Sequence, residues 1–169
     1  DTHWTPLGAR LAAMKVGSVV QREFPYLSWD NIDYKSARAG KIVHEGDLMR
    51  YTVTGRDSRI FGLEKDRFYK WHTERKGEAN NDFLGDPALP IALVGTSYSA
   101  NPLWNFQGFL KEFLGSDILN VADEGLGPFE TMHKYLGSEA YEKSKPKLVV
   151  WEIPERYIGM TSSFMKEQK

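Results

Sequence analysis

The chain has 169 residues, 41% of them apolar and 27% charged, a composition that supports one domain with a real hydrophobic core. Lys and Arg number 22 against 23 Asp and Glu. That balance gives no overall footprint for nucleic acid or an anionic membrane, and leaves open a local basic groove for an anionic polymer. Cysteine is absent, which excludes a disulfide framework, a thiolate metal site and a cysteine nucleophile.

No apolar run approaches the roughly 18 residues of a membrane span. No signal peptide is visible. Asp1 already belongs to a motif described below, so we expect the natural N-terminus, with any export signal or anchor, to precede it. There is no internal repeat and no low-complexity tract.

In chain order, Thr5 suits an N-cap and Pro6 a first helical position. They predict a helix over residues 6–21 with Leu7, Leu11 and Met14 on its apolar face. Residues 24–86 read as an insertion or connecting region. Within it, two β-prone runs flank Glu45-Gly46-Asp47, and Gly46 suits the tight turn of a hairpin. Residues 65–86 show no steady periodicity.

The last half alternates. Residues 89–94 form an apolar run long enough for a buried strand. Asn101 and Pro102 open a predicted helix carrying Leu103, Phe106, Leu110, Phe113 and Leu114, with Gly115 placed to end it. Residues 117–121 read as the next strand. Pro128 starts another helix with Phe129, Met132 and Leu136 on one face and Gly137 at its end. Residues 147–153 are a third buried strand. This order predicts an α/β fold with a parallel sheet flanked by helices. In such sheets ligands sit at the carboxyl ends of the strands.

Four segments reach that edge. Gly95-Thr96-Ser97-Tyr98-Ser99 follows the first strand and precedes a helix. A serine on such a turn is exposed, and a helix N-terminus favours developing negative charge. The same residues also fit a Ser/Thr-rich helix cap. Asp1-Thr2-His3-Trp4 offers an imidazole base with a carboxylate two residues away. An imidazole can take a serine proton, and the carboxylate can fix its tautomer; a solvated N-terminal loop is the plainer reading. Glu124-Gly125-Leu126-Gly127-Pro128 could turn backbone N–H groups of Gly125 and Gly127 toward an oxyanion, or simply start a helix. Tyr98 N–H is the better-placed donor because it follows the candidate nucleophile. Residues 151–157 carry Arg156 and Tyr157, which suit a carboxylate or a sugar hydroxyl as well as covering the core. Trp4 suits stacking on a sugar or packing beneath the histidine. His44, His72 and His133 form no ligand spacing, so neither a metal nor any other cofactor is expected.

The Asp1–Trp4 and Gly95–Ser99 elements, with His3 lying 94 positions before Ser97, resemble the alginate O-acetyltransferases of the AlgJ/AlgX family, which are SGNH-hydrolase-like. In that family the D-x-H-W element precedes the serine element. Asn101-Pro-Leu-Trp-Asn105, residues 123–128 and residues 150–156 add to the likeness. The resemblance implies one SGNH-like domain over residues 1–169, a C-terminal portion of a longer chain with part of the fold preceding it. It implies a Ser97–His3–Asp1 triad acting through a serine acyl-enzyme. It implies a periplasmic acyltransferase, anchored to the inner membrane through a preceding segment, that acetylates an exopolysaccharide of the alginate type. A membrane-bound acyl-transfer protein and other polysaccharide-secretion components are the implied partners. The chain ends soon after Tyr157, so no C-terminal carbohydrate-binding module is expected, and the resemblance leans to an AlgJ-like over an AlgX-like protein. Two other functions fit the same residues: a carbohydrate acetyl esterase using the triad, and a non-catalytic polysaccharide-binding scaffold.

Overall fold

The computed structural model describes residues 1–29, 31–51, 64–77 and 89–160. Its centre is a three-stranded parallel sheet. Strand β3 (Ile91–Val94) lies between β4 (Ile118–Asn120) and β5 (Leu148–Trp151). A separate antiparallel pair joins β1 (Tyr34–His44) to β2 (Asp66–Arg75). Among the described residues the α-helices are α1 (Pro6–Glu23), α2 (Ser97–Ala100), α3 (Phe106–Leu114), α4 (Gly127–Leu136) and α5 (Glu139–Ser144). None of the described helices is long and apolar enough to cross a membrane.

All four side chains of β3 are buried, which is why its sequence is a continuous apolar run rather than an alternating one. Ile91 and Leu93 face a core built with Ala9 and Ala13 of α1 and Phe106, Phe109, Leu110 and Leu114 of α3. Ala92 and Val94 face the other side, against Tyr135 of α4. The sheet is therefore covered on both faces, and its edge beyond β3 is left to the loops. Truncating the fully buried Phe109 to Ala would cost about 3–5 kcal/mol.

Several helix faces differ from the apolar pattern. On α1 the buried residues are Pro6, Ala9, Ala13, Gly17 and Val20, while Leu7, Leu11 and Met14 are exposed. The reason is the closeness of α3. A Cβ on Gly17 would lie 3.0 Å from Cβ of Phe113, so small residues face that helix and large ones cannot. On α4 the buried positions are Pro128, Thr131 and Tyr135, and Leu136 is exposed. From Ser97 the chain forms three pieces, α2, a 3-10 turn (Pro102–Trp104) and α3, the last two standing where a single helix from Asn101 was expected. Asn105, at φ 52°, separates the last two. Gly115 ends α3 in the left-handed conformation, at φ 62°.

The hairpin also differs. Its strands are β1 and β2, paired from Tyr34↔Arg75 to His44↔Asp66, so residues 66–75 are a strand despite their irregular pattern. Gly46 does not turn it. After β1 the chain enters a 3-10 turn (Asp47–Tyr51), and residues 52–54 of the second β-prone run lie outside the described residues. Gly46 matters for a different reason: a Cβ there would lie 2.7 Å from the backbone nitrogen of Asp1. The missing side chain lets the Asp1–Trp4 segment lie against this turn.

Candidate active site

The carboxyl edge of β3 continues past its last residue. Glu152 N–H donates to Val94 O (2.8 Å) and Asp123 N–H to Gly95 O (3.2 Å). Both neighbouring strand ends therefore flank the turn Gly95–Ser97. Thr96 caps α2, its side chain accepting from Tyr98 N–H. Its own N–H donates to Glu152 Oε2 at 2.8 Å. Ser97 is thereby held at the first position of α2, at the rim of the sheet.

The Asp1–Trp4 segment is pinned to this turn at several points. Thr2 N–H donates to Asp47 Oδ1 (2.8 Å), and the Thr2 hydroxyl donates to the other oxygen of that carboxylate. The Tyr98 hydroxyl donates to Thr2 O, and Trp4 Nε1–H donates to Tyr98 O (3.1 Å). The pinning brings three distant side chains together. His3 Nε2 lies 2.8 Å from Ser97 Oγ, and His3 Nδ1 lies 2.8 Å from Asp1 Oδ1. Asp1 Oδ1 also accepts the His3 backbone N–H at 2.9 Å. An ionised carboxylate only accepts, so Nδ1 carries the proton and Nε2 faces the hydroxyl as an acceptor. Such a chain can take a proton from Ser97 and stabilise the resulting imidazolium.

The surroundings tune the imidazole. Burial holds the His3 pKa below the ordinary histidine value; the Arg156 and His44 charges act the same way, while Asp47 and Glu124 oppose them. For Asp47, burial pushes the carboxyl up, but the Thr2 hydrogen bonds outweigh it and keep it below the usual range.

The remaining predicted site residues divide. Arg156 Nη1 donates to the Tyr98 hydroxyl (3.1 Å), and its guanidinium lies over the Tyr98 and Tyr157 rings. Arg156 thus reaches the segment that carries Ser97. The Tyr157 ring instead packs on Gly127, whose Cα side it approaches closely. Gly125 and Gly127 both adopt positive φ, and Asp123, just before them, is the residue bonded to Gly95 O. Tyr98 N–H makes a long 3.4 Å bond to Thr96 Oγ1. Trp4 packs against Phe106, ring centroids 4.7 Å apart, as well as binding Tyr98 O. It lines one wall of a cleft of about 190 Å³, together with Asp1, His3, His44, Asp66 and Phe68; the ring stacked on His3 is that of Trp104.

Three residues escaped the sequence reading. His44 is not an isolated turn histidine: its Nε2 is 2.5 Å from Asp1 Oδ2. Asp47 clamps Thr2, and Glu152 clamps Thr96. No local spacing could reveal them, because each acts on a segment more than forty positions away. Asp1, His3 and Asp47 also bring one potential metal-ligand atom each within 4.8 Å of one another. The hydrogen bonds described above already account for those atoms.

Comparison with known proteins shows the family. A family model described as "SGNH hydrolase-like domain, acetyltransferase AlgX" matches residues 1–155. A Pseudomonas putida protein named "Probable alginate O-acetylase AlgJ" is 40% identical over 165 residues, covering 95% of this chain and 42% of the relative. The solved structure titled "O-Acetyltransferase Domain of Pseudomonas putida AlgJ" superposes with a TM-score of 0.83 at 37% identity, covering 99% of this chain and 57% of that one. The structure of Pseudomonas aeruginosa AlgX superposes with a TM-score of 0.70 at 32% identity, covering 89% of this chain and 33% of that one. The chain spans less than half the length of the curated relatives it matches. Its α/β fold and its match over residues 1–155 place it in the AlgX family of SGNH hydrolase-like acetyltransferase domains.

Proposed function

We propose that this domain transfers acetyl groups onto hydroxyls of alginate through an acetyl-Ser97 intermediate. The observation that carries the reading is the pair of 2.8 Å contacts linking Ser97 Oγ to His3 and His3 to Asp1. The names of the relatives supply the substrate class: acetyl transfer and alginate.

In the first half-reaction His3 Nε2 takes the Ser97 proton while Oγ attacks the carbonyl carbon of an acetyl donor. The carbonyl oxygen becomes an oxyanion facing backbone donors near Tyr98, with Gly125 and Gly127 as further candidates. The carbonyl reforms, the donor's leaving group departs with the proton from His3, and acetyl-Ser97 remains. In the second half-reaction His3 takes the proton of a sugar hydroxyl, whose oxygen attacks the acetyl carbon. Ser97 then leaves and recovers its proton from His3. Asp1 keeps Nδ1 protonated and offsets the positive charge in both halves. We assign the reaction to the periplasm, with a membrane-bound acyl-transfer protein delivering the acetyl group.

The test is transfer from p-nitrophenyl acetate to mannuronate oligomers, followed by mass spectrometry. Acetylated oligomer with wild-type protein, and none with Ser97→Ala, is the expected result. Wild-type transfer by Ser97→Ala removes the reading. Ser97-dependent release of acetate without acetylated oligomer reassigns the acceptor to water.

A further inference from the structure

Asp1 has two carboxylate oxygens, and the relay to Ser97 occupies one. Oδ1 takes both His3 donors, at 2.8 and 2.9 Å. Oδ2 is met at 2.5 Å by Nε2 of a second imidazole, His44, the last residue of β1. This is not a loose surface contact. The Asp1 side chain is 9% exposed and that of His44 23%. The His44 ring is packed by Phe68 (centroids 5.6 Å) and set edge-on to Trp104 (5.4 Å, 87°). The same Trp104 stacks on His3 (5.4 Å, 21°). One buried indole therefore sets both imidazoles around one carboxylate.

We propose that His44 is a positioning residue of the relay, its Nε2–H fixing the Asp1 carboxylate so that Oδ1 faces His3. This inference rests on the acetyltransferase reading, which assigns Asp1 its role. Three features support it. A carboxylate accepts only, so His44 must carry its proton on Nε2. With Oδ2 held, the carboxylate cannot rotate away from His3 when the imidazolium forms. A hydrogen bond to Oδ2 also draws off part of the negative charge that Asp1 presents to His3, and a positive charge on His44 acts in the same direction. His44 thus tempers the base as well as aiming its partner. The charged and titratable groups around it are Asp1 on the N-terminal segment, His3 beside it, and Asp66, its paired neighbour on β2. Asp47 stands beyond, 3.7 Å from His3 Nδ1.

The experiment compares His44→Phe and His44→Gln in the purified protein, with p-nitrophenyl acetate as acyl donor. Phe keeps the ring packing and loses the donor. Its kcat should fall by about ten-fold or more, with KM little changed, since a hydrogen bond to a charged group is lost. The acid limb of its kcat/KM profile should move to higher pH, because the unshared carboxylate makes His3 a stronger base. Gln supplies an amide N–H and should restore most of kcat at an unchanged melting temperature. A role in packing alone predicts the reverse order, Phe tolerated and Gln not, and that order overturns the proposal. A second readout does not need turnover. Imidazole ¹⁵N–¹H spectra of the wild-type protein should show His44 as the Nε2–H tautomer, responding to Asp1→Asn. An Nδ1–H tautomer overturns the proposal even if Ser97-dependent transfer is intact. If transfer proves independent of Ser97, the acetyltransferase reading fails, and the tautomer still decides how His44 is bonded.

Discussion

Glu152 grips Thr96 by both its backbone and its side chain. Oε2 accepts the Thr96 N–H at 2.8 Å and the Thr96 hydroxyl at 3.0 Å. The same oxygen accepts Ser99 Oγ at 3.1 Å. One carboxylate at the end of β5 thus fixes the residues on both sides of Ser97. Gly95 is part of the arrangement, because a Cβ there would lie 2.6 Å from Glu152 Oε2. The turn is shaped by a neighbouring strand as well as by its own Gly95 and Thr96.

Replacing Glu152 with Ala should therefore damage stability and activity together. Thr96 is 4% exposed, so its N–H would be left buried without a partner, at a cost of about 1–3 kcal/mol. Thermal unfolding should show a lowered midpoint. Turnover at saturating p-nitrophenyl acetate should fall, since Ser97 loses its fixed aim at His3. An unchanged melting curve would show that the clamp is dispensable.

Asp1→Asn separates charge from shape. The amide can donate where the carboxylate accepted, which favours the wrong His3 tautomer and withdraws the counter-charge. If Asp1 orients His3 as proposed, turnover should drop by about 10⁴-fold, the loss typical of a Ser-His-Asp triad. Ser97 should then resist a serine-directed fluorophosphonate probe, read by intact-protein mass spectrometry. Labelling at the wild-type rate would show that Asp1 does not act on the base.

The pH profile follows from the His3 environment. Only neutral His3 can take the Ser97 proton. Burial, aided by Arg156 and His44, holds its pKa below 6.5, so activity should persist below that pH and fail only as His3 protonates. Asp47 pulls the other way. Asp47→Asn should move the acid limb of kcat/KM lower still, and Arg156→Gln should move it higher. The sign for stability is fixed too: a depressed histidine pKa favours the fold above 6.5, and this contribution is lost as pH falls through the folded value. Limbs that move in the opposite senses would contradict this electrostatic account.

A separate prediction concerns the hairpin. Tyr34 Oη donates to Asp117 Oδ1 at 2.5 Å, and Lys111 Nζ meets the same oxygen at 2.8 Å. Burial and this hydrogen bond push the Tyr34 phenol up to about 12. Burial pushes Asp117 up as well, but bonds from Lys111 and Tyr34 outweigh it and leave its carboxyl below 3.8. Tyr34→Phe should cost about 1–2 kcal/mol in urea unfolding near neutral pH. Asp117 stabilises the fold above pH 3.8 and loses that effect as pH falls through its lower folded value. The wild-type advantage over Tyr34→Phe should shrink over that range; an equal difference at all pH values would contradict the coupling.

The sequence by itself determined the elements whose cause is local. An unbroken apolar run made β3, Thr5 and Pro6 opened α1, and Gly115 closed α3, because caps and buried strands depend on residues a few positions apart. It also marked Ser97, His3 and Asp1 as a set, by motif order and resemblance. Only the tertiary structure decided which face of α1 is buried, since that depends on how closely Phe113 approaches Gly17. It alone revealed β2 as the partner of β1, and His44, Asp47 and Glu152 as the groups bonded to Asp1, Thr2 and Thr96. Those bonds join segments dozens of residues apart. A hydrogen bond depends on distance and angle in space, and spacing along the chain carries neither.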